Sequence, residues 1–188
     1  MELEDIILDG IEAIIPNYDD RGNCTELYTI DGKIHKIEKC YRTVLNQICE
    51  YYLVDLKAAR KYFGEITFMK SLVPLSFDGE HVFVPIKVRK PIAKNDGAYG
   101  LVNTSYVEKV VEHNDEVIIK LYNNEDIKSL TSIKTTKDSI DRGNVVKREY
   151  CGNNPSITGK NNSKAKYSEP ITLGDLVFLM EKTLESLN

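Results

Sequence analysis

Between Ser105 and Leu130 the chain runs through "SYVEKVVE" (105–112), "EVIIKLY" (116–122) and "DIKSL" (126–130), joined only by the polar links His113–Asp115 and Asn123–Glu125. Links this short turn a chain back on itself, whereas a parallel pair of strands needs a crossover of about a dozen residues or more. No helix separates these runs, so they are expected to form an antiparallel meander. Earlier short runs read the same way: "IEAIIP" (11–16), "TELYTI" (25–30) and "KIHKI" (33–37). Asp31-Gly32 between the last two predicts a type I′ hairpin, which needs positive φ at both turn residues. After Gly64 "EITFMKSL" (65–72) again shows a period of two, and "HVFVPI" (81–86) follows a turn expected at Asp78-Gly79.

Helical periodicity is confined to three places. In "TVLNQICEYYLVDLKAARKYF" (43–63), Val44, Ile48, Tyr51, Tyr52, Leu56, Ala59 and Phe63 recur at steps of three and four and form one apolar stripe. Thr43 suits the N-cap, Gly64 a left-handed C-terminus, and Lys57, Arg60 and Lys61 sit where the macrodipole favours cations. A second helix is expected over 136–150, with Asp138 near its start and Gly143 weakening it. Residues 151–170, "CGNNPSITGKNNSKAKYSEP", read as a polar linker or loop. Leu173, Leu176, Val177, Met180, Leu184 and Leu187 then mark a C-terminal helix over 171–188, capped at Thr172. The expected architecture is α+β: an antiparallel β-meander with an amphipathic helix near 43–63 and a C-terminal helix. One domain over 1–150 is followed by the linker and that helix.

Few chemistries fit these residues. No Gly-rich phosphate loop of the G-x-G-x-x-G or G-x-x-x-x-G-K-[ST] kind occurs. Cys24, His35, Cys40 and Cys49 lie close in sequence, yet none is paired at the two-to-four-residue spacing by which one turn grips zinc. These cysteines and Cys151 are read as reduced thiols, with no metal and no cofactor. Neither His81 nor His113 is placed beside a thiol by the sequence, and no pair of carboxylates stands out. The chain is read as a non-enzyme. No apolar run approaches the roughly 18 residues that span a bilayer, and "MELEDIILDG" lacks the basic start of a signal peptide, so a cytoplasmic location with no membrane association is expected.

Charge is unevenly spread. Net charge is −4, which argues against non-specific coating of nucleic acid. Residues 1–50 hold 5 Lys and Arg against 11 Asp and Glu, whereas residues 51–188 hold 20 against 18. Four cations gather in "VPIKVRKPIAKNDGAYG" (84–100): Lys87, Arg89, Lys90 and Lys94, with Asn95 beside them and Pro91 preventing a helix or a central strand. Such a loop can simply be solvated, its cations keeping a strand end from pairing with neighbours. Its functional reading rests on side-chain chemistry, because Arg, Lys and Asn enter minor grooves where A·T tracts narrow them. Arg60, Lys61, Lys147 and Arg148 could extend that surface by contacting phosphates.

Several segments, in order, resemble the ComK family of competence transcription factors over roughly residues 12–150. "AIIP" (13–16) looks like its N-terminal apolar-Pro element, and "CEYY" followed by Arg60-Lys61 its Cys-x-aromatic-aromatic segment leading to Gly-Arg. "SLVPLSFDGEHVFVP" (71–85) is similar to its Pro-containing strand, turn and Phe-x-Pro strand. "GLVN" (100–103) stands where the family has Gly-Trp-Ile-Ser, and "DEVIIKLYNNEDIKSLTS" (115–132) resembles its Thr-x-Val-x-Phe-x-Asn-Gly meander. Departures are Leu101 at the tryptophan position, "LVDLKAAR" for the Gly-Ser-Ser portion, "IKVRK" for a Ser/Thr-rich stretch, and an unmatched C-terminal region.

The resemblance implies a sequence-specific activator that reads paired AT-rich boxes in double-stranded DNA, largely through the minor groove. It also implies a homodimer or higher homo-oligomer, and regulated proteolysis with a proteolytic adaptor as partner. The DNA-contacting assignment of Lys87, Arg89, Lys90 and Lys94, with Arg60, Lys61, Lys147 and Arg148 outside them, comes from local chemistry. The alternative expectation is a protein-interaction module on the same scaffold that has lost DNA recognition. A small-molecule enzyme ranks third and would need a concave site with convergent polar groups.

Overall fold

Alternation of apolar and polar residues sorts the strands into two antiparallel sheets. A computed structural model describes residues 2–78 and 81–153. The chain order is α1 (Leu3–Leu8), β1 (Ile11–Asp19), β2 (Gly22–Thr29), β3 (Ile34–Ile37), α2 (Tyr41–Tyr51), α3 (Leu56–Thr67), β4 (Leu75–Ser76), β5 (Val82–Lys87) and β6 (Tyr99–Asn103). A 3₁₀ turn at Thr104–Tyr106 leads into β7 (Val107–His113), β8 (Glu116–Leu121), β9 (Asp126–Ser129) and α4 (Ile133–Asn153). The first sheet has the order β3-β2-β1-β6-β5-β4, the second β7-β8-β9, and every pair is antiparallel. The protein is α+β, as its short links require.

Each face of the six-stranded sheet has its own cover. Ile14, Leu27, Phe83 and Leu101 point to one side, where α1 and α2 bury Ile6, Ile7, Val44, Leu45 and Ile48 against them. Ala13, Ile15, Val84, Ile86 and Val102, on the alternate positions, point to the other and meet Ile119, Leu121 and Ile127 of the second sheet. Each such fully buried Ile, Leu or Val contributes roughly 1.5–3 kcal/mol relative to exposure. At the start of β5, α3 and α4 close a third cluster of Phe63, Val73, Val82 and Val146, with the Tyr150 ring edge-on to Phe63.

The single helix expected over 43–63 is two helices. α2 ends when Leu53 takes a left-handed conformation (φ 55°), with Leu53 N–H donating to Glu50 O and Val54 N–H to Cys49 O. Asp55 then starts α3, its carboxylate accepting from the Lys57 and Ala58 N–H groups. α3 runs past Gly64 to Thr67, so Gly64 is a buried mid-helix residue and not its end. Phe68, also left-handed (φ 55°), closes α3 with Phe68 N–H to Glu65 O and Met69 N–H to Gly64 O. The strand expected over 65–72 is therefore absent. Ile66 and Met69 follow Phe63 at helical steps and pack beside it, leaving Phe68 exposed.

Turn chemistry also differs from expectation. At Asp31-Gly32 only Gly32 has positive φ (77°), because the Asp31 carboxylate accepts from Thr29 Oγ1 and the Lys33 N–H and holds the turn in an ordinary first half. The turn with two successive left-handed residues lies instead at Asn114 (φ 51°) and Asp115 (φ 63°), between β7 and β8. Gly79 of the expected Asp78-Gly79 turn lies outside the described residues. α4 begins at Ile133, with Ser132 Oγ accepting from the Thr135 N–H, three residues ahead of the start expected at 136. It continues to Asn153, into the stretch read as linker. The rest of that linker and the helix expected over 171–188 lie outside the described residues.

Candidate nucleic-acid interface

β5 and β6 are joined by the basic segment, and this loop is anchored on β1 and β2. Arg89 makes the central tie. Its Nε donates to Gly97 O (2.7 Å), one Nη to Asn17 O (2.8 Å) and the other to Asn23 Oδ1 (2.8 Å). The guanidinium carbon lies 4.1 Å from the centre of the Tyr18 ring, within cation–π range. Asp96 completes the tie from the far side of the loop. It accepts from Tyr18 OH (2.5 Å), Asn23 Nδ2 (2.9 Å) and the Ala93 N–H (2.9 Å), while Tyr18 OH accepts from the Ile92 N–H (2.9 Å). These donors, Tyr18 first, hold the Asp96 carboxyl down to about 2.

The clamp determines what the tip presents. Lys90, Pro91, Ile92, Ala93, Lys94 and Asn95 are all exposed, and Ile92 is 79% accessible. An isoleucine beside a proline therefore projects between two lysines on a loop whose base is fixed. No side-chain partner holds Lys90 or Lys94 among the described residues.

The eight cations singled out by sequence do not form one surface. Lys87, Lys90 and Lys94 share the loop and the strand end that feeds it. Arg89 is committed to the clamp. Arg60, on α3, reaches the base of the loop, lining a cleft with Gly97, Ala98 and Tyr99. Lys61 is exposed one residue on. Lys147 and Arg148 lie on α4 near the opposite end of β5: neighbouring Val146 packs with Val82, and Lys147 Nζ donates to Ser105 Oγ (2.9 Å). β5 from Val82 to Lys87 spans roughly 17 Å, which separates them from the loop.

Tyr18, Asn17, Asn23, Asp96 and Ile92 were not legible as site residues. The first three come from a different hairpin, and no local pattern links them to Arg89. Ile92 had one signal, an apolar residue following Pro91 inside a basic run.

Other chemistry is sparse. Cys24 and Cys49 are buried free thiols and Cys40 an exposed one. Among the described residues no three His, Cys, Asp or Glu side chains come together as a metal site, and no helix is long and apolar enough to cross a membrane. No protein-family model, curated protein or solved structure matches this chain, so its chemistry is read from its own residues.

Proposed function

We propose that the protein is a cytoplasmic, double-stranded DNA-binding transcriptional regulator whose 88–98 loop enters the minor groove of AT-rich sites. One observation carries this reading: the exposed Pro91-Ile92 tip, flanked by Lys90 and Lys94 and followed by Asn95, on a loop clamped by Arg89 and Asp96. Minor-groove proteins use apolar wedges of this kind to part base steps, while Lys, Arg and Asn satisfy the groove's negative potential and acceptors. A pre-ordered loop loses little entropy on binding. Lys87 reinforces the same end of the sheet, and Arg60 and Lys61 reach phosphates beyond it. The ComK resemblance agrees in substrate class and in the expectation of a homo-oligomer. Arg89 contributes by holding the loop, so the diagnostic variant replaces Lys87, Lys90 and Lys94.

Fluorescence anisotropy with an A-tract/T-tract duplex and a GC-rich control, across a salt series, tests the proposal. AT-preferring binding is expected, its log–log salt slope falling by about one for each phosphate-contacting lysine changed to glutamine. Ile92→Ser should reduce the AT preference and leave that slope intact. Weak, equal binding to both duplexes that vanishes with salt would overturn it.

A second reading, a protein-interaction module, is favoured by Phe68 and Leu53, which are 95% and 93% accessible at the two ends of α3. Exposed apolar side chains in left-handed backbone are costly to keep, and sites of this kind concentrate at binding surfaces.

A further inference from the structure

A cleft of about 400 Å³ opens on the helix-covered side of the six-stranded sheet, between α3, the 70–73 segment and the start of β6. Its floor is apolar: Val73, Leu75, Pro85 and Leu101. Its walls carry Arg60, Lys70 and the hydroxyl-bearing Tyr41, Ser71 and Tyr99, and no Asp or Glu lines it. Arg60 and Lys70 have no ion-pair partner among the described residues, although acidic residues outnumber basic ones in the whole chain. Two uncompensated cations over one concavity make a positive potential that walls of low dielectric concentrate.

Strand register adds a third cation. Lys87 is opposite Tyr99 in the β5–β6 ladder and shares the face of Pro85, two residues away, so it stands at the cleft's rim. Arg60 acts within the cleft: burial pushes the Tyr41 phenol upward, and the nearby guanidinium pulls it partly back.

We propose that this cleft binds a small organic phosphate monoester, with the dianion held by Arg60 and Lys70 and the organic part lying on the apolar floor between Tyr41 and Tyr99. A forked guanidinium and a mobile ammonium suit a dianion's several oxygens. The volume falls within the range of pockets that enclose small ligands. This inference stands apart from the DNA reading, because its ligand is a free molecule in a concavity, whereas the loop tip protrudes. A phosphate of the DNA backbone shares the oxyanion chemistry, and the test separates the two sources.

Isothermal titration calorimetry of the full chain with phenyl phosphate, and with phenol as the uncharged control, provides the test. Phenyl phosphate is expected to bind at least tenfold more tightly than phenol. Arg60→Gln with Lys70→Gln should weaken it at least tenfold, while Lys134→Gln, exposed on α4 and outside the cleft, should leave it unchanged. Unaltered circular dichroism and melting of the variants, which change exposed side chains, would exclude misfolding. Absence of phenyl phosphate binding overturns the proposal, as does equal loss from all three substitutions. So does an Arg60/Lys70 effect confined to duplex DNA. Failure of the loop-tip variants to alter DNA binding would overturn the DNA reading and leave the cleft's result standing.

Discussion

The Arg89 guanidinium lies 4.1 Å from the centre of the Tyr18 ring, and the hydroxyl of that same tyrosine donates to Asp96 at the other end of the loop. One aromatic side chain on β1 therefore fixes both arms of the 88–98 loop. Tyr18→Phe keeps the ring beneath Arg89 but removes the donor to Asp96 and the acceptor for the Ile92 N–H. If the loop enters the groove as proposed, duplex affinity should fall several-fold with the salt slope unchanged, because neither side chain is a phosphate contact; anisotropy at several salt concentrations reads both. The low value of Asp96 gives this clamp an acid limit. Its contribution is fully present above the ordinary carboxylate range and is lost as pH falls through about 4 toward about 2. Proteolysis of the loop should accelerate in that window, and Asp96→Asn should abolish the acceleration.

A buried acid at the junction of the two sheets gives the opposite pH dependence. Ile11 pairs with Thr29 and Ala13 with Tyr28, so Glu12 is the extra residue of a bulge. The bulge aims it at the β8–β9 turn, where it is 1% accessible and accepts from Asn123 Nδ2 at 2.5 Å. Burial pushes Glu12 up to about 7 against the pull of Asn123, with Glu125 adding like-charge repulsion. A raised carboxyl stabilises the fold fully below about 4.5, and this contribution is lost as pH rises to about 7. The full shift corresponds to about 3 kcal/mol, reduced to roughly 1–2 kcal/mol by solvent screening where the partly buried Asn123 meets water. Urea melts should show stability declining across that interval, and Glu12→Gln should flatten the decline.

Gly143 marks where α4 lies closest to the sheet. A Cβ there would sit 2.5 Å from Val84 Cγ1 and 2.6 Å from Thr104 Cγ2. Alanine gains about 1 kcal/mol of helix propensity but must displace two β-branched side chains, an overpacking cost of about 1–3 kcal/mol. Gly143→Ala is therefore expected to lower thermal stability, read by calorimetry. An increase would mean that α4 shifts freely over β5.

Phe68 closes α3 in a conformation that L side chains adopt at a cost. Its ring is almost wholly in solvent, so little packing is lost on removal. Phe68→Gly is expected to stabilise the protein by about 1 kcal/mol, visible as a higher urea midpoint at unchanged slope. If the ring serves a protein partner, the same variant should lose that partner while gaining stability.

Legibility followed the range over which each signal acts. The β7–β8–β9 meander was readable because its links are too short for anything but antiparallel pairing. The break between α2 and α3 was not, because Leu53 and Phe68 occupy positions where glycine would have announced a helix end, and the Asp55 cap falls inside an unbroken apolar stripe. Gly143 was visible only as a weak helix former; its purpose depends on Val84 and Thr104, which sequence cannot bring beside it. The loop's cations were found from composition alone. Sequence could not separate Arg89, spent on internal bonds, from Lys90 and Lys94, because that distinction lies in contacts with Asn17, Tyr18 and Asn23.

The six-stranded sheet is closed by a narrow seam. β1 and β6 are in register only at Ala13–Val102 and Ile14–Leu101, and a Cβ at Gly100 would stand 2.8 Å from Ile14 O. On either side of the seam the strands are joined mostly by local hairpins, whose ends meet at little entropic cost. Folding should accordingly run in two stages, with the β1–β2–β3 and β5–β6 ribbons formed early and their zippering across the seam setting the overall rate.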